Sequence, residues 1–189
     1  MEKQKMGAFG YIYPLPAILL GSSVNRKPNF TTLGNCGIVS ISPCTVYVSS
    51  QKNHYTNIGI NETGVFSINI PSIELVEKTD YCGLVSGKQT DKSNIFSVFY
   101  GEIGVPMIEE CPVCLECKVI KVIEINNMEM FIGEVIQSYV DKGCIENGKP
   151  NAMKINPLLY DVGSTYRNLG NWSAQSFKVG MNIVNTTKK

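Results

Sequence analysis

Basic stretches, nucleotide-binding loops and histidine clusters are all missing from this sequence, and each absence removes a class of function. Lys and Arg (17) nearly balance Asp and Glu (16), for a net charge of +1. Recognition of nucleic acid by charge needs a basic stripe, and the charge runs at the ends of the chain, the Lys188-Lys189 tail and a mixed segment at 2–5, read as solvated termini. No GxGxxG, no GxxxxGK[ST] and no HExxH occurs. His54 is the single histidine, so a multi-histidine metal site is impossible, and no GxSxG elbow is present to suggest a hydrolase. Charged residues make up 17% of the chain, against roughly 25% in an ordinary globular domain. That scarcity points to surface covered by a partner subunit or a large ligand. The uncharged run at 6–25 is interrupted by Pro14 and Pro16, follows Glu2, and leads to no small-residue cleavage site. Neither a signal peptide nor a membrane span is expected there.

What the chain does contain is cysteine, in an odd count of seven. Small secreted scaffolds pair an even set, whereas these are scattered among apolar segments, as buried free thiols are. A reducing compartment, the cytoplasm, is the expectation. Cys111-Pro-Val-Cys114-Leu-Glu-Cys117 has spacings that can hold zinc or an iron–sulfur cluster. Cys114 and Cys117, however, fall on an apparent strand three residues apart, which sends them to opposite faces. No fourth ligand lies close by, so buried or edge thiols, and no metal, are expected.

Turn signals recur at short intervals, and the segments between them are rich in Val, Ile and Tyr, a β-dominated pattern. Strands are expected at 17–23, 36–41, 45–50 and 65–70, with a turn at 25–28. Two long strands, 113–125 and 128–140, meet at Asn126-Asn127, where Asn tolerates positive φ. Helices are expected at 56–62, stopped by Gly64, and at 72–82, with Ser72 as N-cap and Gly83 as C-cap. Thr90 is placed to cap a third, through Phe96. Asn147-Gly148 marks a further turn. The fold class is mainly β with short helices, a barrel whose ends the helices plug.

Three polar clusters carry the chemistry. The first, 49–57, gathers Ser49, Ser50, Lys52, His54, Tyr55 and Thr56 where a strand leads into a helix. Free N–H groups and the dipole at such an end favour an anion, with phosphate the natural guess; ordinary N-capping in a polar loop is the plainer alternative. The second, 82–92, has Gly83 and Gly87, which let the backbone approach a ligand, beside Ser86, Lys88 and Lys92. It also reads as a mobile surface loop. The third, 29–36, sets Asn29, Thr31, Thr32 and Asn35 against an apolar strand. Their amide and hydroxyl groups could match the donors and acceptors of a heteroaromatic edge, or simply end a strand.

The order of these clusters, with several longer strings, resembles the flavin reductase-like, FMN-binding split-barrel family, and its flavoredoxin branch in particular. The strings include Tyr13-Pro14, Lys27-Pro28-Asn29-x-Thr31-Thr32, Ser40-x-Ser42-Pro43 and Tyr55-Thr56-Asn57-Ile58. Others are Glu62-Thr63-Gly64-x-Phe66-Ser67-Ile68-Asn69-Ile70-Pro71, Asp80-Tyr81-Cys82-Gly83 with Ser86-Gly87 and Asp91-Lys92, and Pro106-x-Ile108-Glu109-Glu110-Cys111-Pro112. Phe131-Ile132-Gly133-Glu134-Val135 and Pro157-Leu158-x-Tyr160 complete the run, which covers about 10–170. The resemblance implies a Greek-key split barrel over 1–170, working as a homodimer; 171–189, which lacks periodicity, reads as an extension that wraps either the surface or a partner. It implies one FMN per subunit, the ring against Asn29, Thr31, Thr32 and Asn35, and the ribityl phosphate against Ser49, Ser50, His54, Tyr55, Thr56, Ser86 and Lys92. Phe131 and Tyr166 fall where relatives approach the ring. Asn35 departs from the family, where an aromatic is common, and Cys114 stands where Asn is common. The implied activity is that of a flavoprotein oxidoreductase, an NAD(P)H-dependent flavin reductase using NADH or NADPH as co-substrate. The alternatives are a flavoredoxin-like carrier that serves a redox protein partner without a nicotinamide, and a non-catalytic flavin-binding module. The cofactor carries the chemistry, so no side chain is named as catalytic.

Overall fold

The structure, a computed structural model, describes residues 1–161, 163–171, 173–176, 178–181 and 183. Much of the extension expected at 171–189 lies outside these residues. Strands β1 (Leu15–Pro16) and β2 (Ile18–Val24) lead to β3 (Lys27–Leu33), β4 (Cys36–Ile41) and β5 (Cys44–Gln51). Helix α1 (Tyr55–Thr63) precedes β6 (Val65–Ile70), and a 3₁₀ turn (Ile73–Leu75) runs into α2 (Val76–Leu84). Next come β7 (Val98–Tyr100), β8 (Pro106–Ile108) and the two longest strands, β9 (Val113–Ile125) and β10 (Met128–Val140). The remaining elements are β11 (Ile145–Glu146), β12 (Lys149–Pro150), a single helical turn α3 (Ala152–Ile155), β13 (Leu159–Asp161) and β14 (Thr165–Arg167).

Seven strands form one antiparallel sheet in the order β3-β2-β6-β9-β10-β5-β4. The sheet curls until β3 meets β5, while β3 and β4 remain its hydrogen-bonding edges. This is the mainly β split barrel that the sequence leads one to expect. A separate three-stranded sheet, β1-β13-β14, sits at the start of the chain's path into the barrel. Hairpins are set by asparagines in the left-handed region: Asn25 and Arg26 (φ 51° and 62°) join β2 to β3, and Asn126 (φ 53°) joins β9 to β10. A two-residue turn with both φ positive has the twist of the strands it connects.

Period-two alternation divides the apolar residues between two cores. Ile18, Leu20, Val46, Val48, Phe66, Ile68, Cys117 and Phe131 form one, closed by Ile60 from α1. Leu19, Phe30 and Cys114 point the other way and are covered by Cys82 of α2 and by Phe96, Val105, Met107, Ile108 and Cys111. Cys114 and Cys117 thus lie on opposite faces, as their spacing requires. All seven cysteines are free thiols. Burial pushes Cys114 up to about 12 and raises Cys111 and Cys117 as well. Helix α1 lies close on β2, because a Cβ on Gly59 would come 2.2 Å from the Ser23 carbonyl oxygen. No helix among the described residues is long and apolar enough to cross a membrane.

The local expectations differ from the structure in four places. The turn expected at 25–28 is confined to Asn25 and Arg26, because Lys27 and Pro28 already pair with Val24 and Ser23 in β3. No helix forms at 90–96. The Asp91 carboxylate accepts the Ser93 N–H at 2.9 Å, and such a local bond offers the backbone an alternative to the helix. Gly83 does not end α2, which runs to Leu84 and is followed by Val85. Ser72 makes no side-chain capping bond, and the 3₁₀ turn intervenes before α2 begins.

One buried carboxylate ties the covering loop to the sheet. Glu116, on β9, is fully buried. It accepts the Tyr139 hydroxyl at 2.6 Å and the N–H groups of Glu102 and Ile103, each at 3.0 Å. Burial pushes its carboxyl up, but the bonds from Tyr139, Ile103 and Glu102 outweigh burial and hold it below the ordinary carboxylate range. A carboxyl depressed in the folded state stabilises the protein above its unfolded pKa, and that contribution fades as pH falls through the folded value. Glu116→Gln is expected to cost about 2 kcal/mol at neutral pH. It should also flatten the acid limb of stability, as read from urea unfolding at pH 7 and below pH 4.5.

Candidate functional site

Three cavities follow one another along the joint between β3, the start of α1, the end of α2 and the loop after it. The first, about 320 Å³, is lined by Ala17, Thr32, Leu33, Gly34, Gly83 and Leu84, with Asp80, Tyr160, Ser164 and Tyr166 opposite. The second, about 170 Å³, shares Gly83 and Leu84 with the first, adds Val85, and is otherwise lined mostly by polar residues. Asn29, Thr31, His54 and Thr56 form one wall; Ser86, Gly87 and Lys92 form the other, with Tyr55 and Asn53 at the rim. The third, about 270 Å³, shares Asn29, Tyr55, Gly87 and Lys92 with the second.

The walls are held by bonds between elements distant in sequence. Asn29 donates from Nδ2 to the Thr56 hydroxyl at 2.7 Å, fixing β3 to the first turn of α1 and leaving the Thr56 proton for another acceptor. That turn carries no acidic residue of its own, although the Glu129 carboxylate of β10 accepts the Asn57 side chain beside it at 2.6 Å, and an anion is favoured at such a helix start by its free N–H groups and dipole. Lys92 is buried, 4% exposed. Its ammonium donates to the Cys82 and Val85 carbonyls at 3.2 and 3.0 Å. An ammonium has three N–H donors, so one remains for a group in the cavity. Burial lowers the Lys92 pKa, opposed by nearby Cys82.

His54 Nδ1 lies 2.9 Å from the Ser50 hydroxyl. Burial, and then the positive charge of Lys92, push the imidazole pKa down, so its ring is neutral at pH 7 unless an anion arrives. Thr32 donates to the Thr79 carbonyl, binding β3 to α2. Tyr166 donates to Asp80 at 2.9 Å, and burial followed by that bond pushes its phenol up. Tyr160 and Tyr166 pack edge-on, with centroids 5.6 Å apart.

Of the residues singled out in the sequence, the second cavity gathers Asn29, Thr31, His54, Tyr55, Thr56, Ser86 and Lys92. Thr32 and Tyr166 line the first. Asn35 is exposed just beyond Gly34, and its carbonyl accepts the Ser49 N–H at 2.8 Å. Ser49 is half-buried on β5 and lines none of the three cavities. Ser50 is fully buried and holds His54 rather than facing the cavity. Phe131 is a correction: it is fully buried in the barrel core on β10, with the core residue Val48 opposite it on β5, because the pleat turns that position inward. Sequence reasoning did not single out Asp80, Tyr160 or Leu84. Tyr160 stands in a matching string, but only the β13–β14 hairpin brings it to Tyr166.

A family model described as a flavin reductase like domain matches residues 9–170. The chain belongs to the flavin reductase-like family. Among solved structures, it is similar to a flavoredoxin from Methanosarcina acetivorans, at 41% identity and a TM-score of 0.94, over 97% of this chain and 100% of that one. A flavoredoxin of Desulfovibrio vulgaris (Miyazaki F) is 34% identical, with a TM-score of 0.89, over 95% of this chain and all of its own. Among curated proteins, an uncharacterized protein of Archaeoglobus fulgidus is 33% identical over 155 residues, 80% of this chain and 86% of its own.

Gly87 sets the width of the second cavity. A Cβ there would lie 2.3 Å from Asn29 Oδ1 and 2.5 Å from a Tyr55 ring carbon. Gly87→Ala must therefore lift the 85–92 loop or displace Asn29, at about 1–3 kcal/mol. Gly10→Ala, with nothing within 4 Å of its Cβ, is the control. A lower urea midpoint for the first variant alone is the expected result.

Proposed function

We propose that this chain is an FMN-binding flavoprotein oxidoreductase and that it reduces its flavin with NADH or NADPH. The single observation that carries the reading is the second cavity. A buried lysine ammonium, a threonine hydroxyl and the start of α1 converge there, next to a larger and less polar cavity. A phosphate carries about two negative charges near neutral pH, and these donors suit it. The residues fit the group: Lys92 keeps one N–H and Thr56 keeps its proton, both on the lining of the same cavity.

In this reading Lys92, Thr56 and the α1 N–H groups hold the phosphate. His54 gains a proton more readily beside it, since an anion offsets the Lys92 charge. Thr31 and Asn29 face the ribityl chain. Thr32, Gly34 and Leu84 line the space for the ring, with Tyr166 held in place by Asp80 across it. Bound FMN would supply hydride acceptance and one- or two-electron transfer. The chain's task is to orient the ring, leave one face open to a nicotinamide, and stabilise the added negative charge through hydrogen bonds at the pyrimidine edge.

The greater similarity to flavoredoxins favours a second reading, an electron carrier that serves a redox protein partner without using a nicotinamide. Anaerobic mixing with FMN and either nucleotide separates the two. Bleaching of the flavin absorbance supports the reductase; reduction only by a low-potential donor supports the carrier. Lys92→Met is expected to weaken FMN binding about tenfold while leaving riboflavin binding unchanged, a ratio that loosening of the loop alone would not alter.

The chain is proposed to work as a homodimer. Edge strand β4 exposes Ile38 (68%) and Ile41 (78%), with Val39 between them, and β9 exposes Ile120, Val122 and Ile125. An exposed apolar edge strand is an aggregation hazard unless something covers it. Asn35 and Gly34 lead directly into β4, so a subunit covering this edge would reach the rim of the first cavity. The double variant Ile38→Glu, Ile41→Glu should convert a dimer to a monomer in light scattering. A wild-type chain that is itself monomeric would remove this reading.

A further inference from the structure

Two thiols of the second core have no part in the flavin reading and border a cavity of their own. That cavity, about 230 Å³, is lined by Cys111 and Cys114, with Phe99 and Tyr139 as aromatic walls and Glu109 and Asp141 beside them. None of these residues lines the cavities along β3. Glu109 and Asp141 are exposed, whereas Cys111 and Cys114 are 6% and 2% exposed. The thiols are therefore the buried part of a space whose rim meets water.

The backbone brings the two cysteines together. The carbonyl of Ile108, the last residue of β8, accepts the Cys111 N–H at 3.3 Å and the Cys114 thiol at 3.3 Å. The Cys114 thiol also reaches the Cys111 carbonyl at 3.8 Å. Both cysteines thus meet at one oxygen, and both side chains line one space. Cys82 belongs to the same core but does not line the cavity.

Their surroundings select the ligand. Alkylating agents and peroxides attack the thiolate. Burial pushes Cys114 up to about 12, and burial with the charges of Cys114, Glu110 and Cys82 raises Cys111. Both are therefore protonated thiols at pH 7 and poor nucleophiles. No group of three or more metal-ligating side chains converges among the described residues. Two thiolates on a soft monovalent cation would bury a net negative charge near Glu109 and Asp141, at a high desolvation cost. A neutral centre that takes up two thiols and releases water buries none.

We propose that Cys111 and Cys114 form a dithiol site for a neutral trivalent arsenic species, arsenous acid. Two As–O bonds break and two As–S bonds form, and each departing hydroxyl leaves as water with one thiol proton. The third hydroxyl stays on arsenic, and its oxidation state does not change. The cavity exceeds several times the roughly 30 Å³ share of one water in the liquid, which is room for a molecule of this size. Nothing in the inference depends on the flavin reading, since the two sites share no lining residue.

The test is equilibrium dialysis of the full chain, kept reduced with a phosphine, against sodium arsenite at pH 7, with bound arsenic counted by mass spectrometry. A single arsenic per chain is expected. Cys111→Ser and Cys114→Asn should each weaken binding about tenfold or more. Cys114→Asn introduces the residue common there in the family, and unchanged near-ultraviolet circular dichroism would show that it folds. Prior alkylation of the native protein with iodoacetamide should modify the exposed Cys44 and leave arsenic binding intact. Absence of bound arsenic, binding that survives both substitutions, or binding lost on alkylation while peptide mapping finds Cys111 and Cys114 unmodified, would each overturn the inference.

Discussion

A lysine ammonium taken almost wholly out of water is the constraint around which this site is built. Lys92 could stay charged at that depth only with partners, and it has two, the carbonyls at the end of α2. A helix C-terminus carries the negative end of the dipole and unpaired carbonyls, so the lysine and the helix end satisfy each other. The same bonds draw the 85–92 loop back over β3 and shape the cavity. Desolvation is nonetheless incompletely compensated, as the lowered Lys92 pKa shows. An anion in the second cavity relieves that deficit, which couples ligand binding to the stability of the loop.

The barrel contributes by holding β3 still. Asn29, Thr31 and Thr32 are polar, yet all three lie on a strand that also carries Phe30 and Leu33 into the two cores. Asn29 bonds α1 and Thr32 bonds α2. One strand therefore fixes both helix ends that face the site, the start of one and the finish of the other. The two ends bring opposite dipoles to one place, and the buried ammonium at the second converts it from an anion-repelling end into an anion-binding one.

The long strands and their hairpin were legible because their signals are local. Alternation over 113–140 with paired asparagines between needs no tertiary information, and the strands occupy the expected bounds. The 90–96 segment reads as a helix in sequence because Thr90 looks like a cap, but Asp91 bonds Ser93 and Lys27 instead. A capping residue competes with its neighbours for the same backbone groups. Phe131 was placed at the flavin ring by likeness alone, while its place in the pleat, opposite Val48 on β5, sends it into the barrel core. Tyr55, Thr56, Ser86 and Lys92, read from clusters that are polar and glycine-bearing, do converge on one cavity. Asp80 and Tyr160 stand in matching strings but carry no local sign of a site role, since that role depends on the β13–β14 hairpin folding back over α2.

The position of the site at the sheet's open side also bears on assembly. β3 and β4 are the sheet edges, and the connection between them, Gly34 and Asn35, borders the first cavity. Asn35 is exposed there and contributes only its carbonyl, to Ser49. The exposed apolar edge strand therefore begins at the rim of the first cavity, since Gly34 lines that cavity and β4 starts two residues later. Covering β4 with a second copy would bury Ile38 and Ile41 and bring the partner to that rim. The apolar edge and the cavity mouth thus lie side by side on one surface.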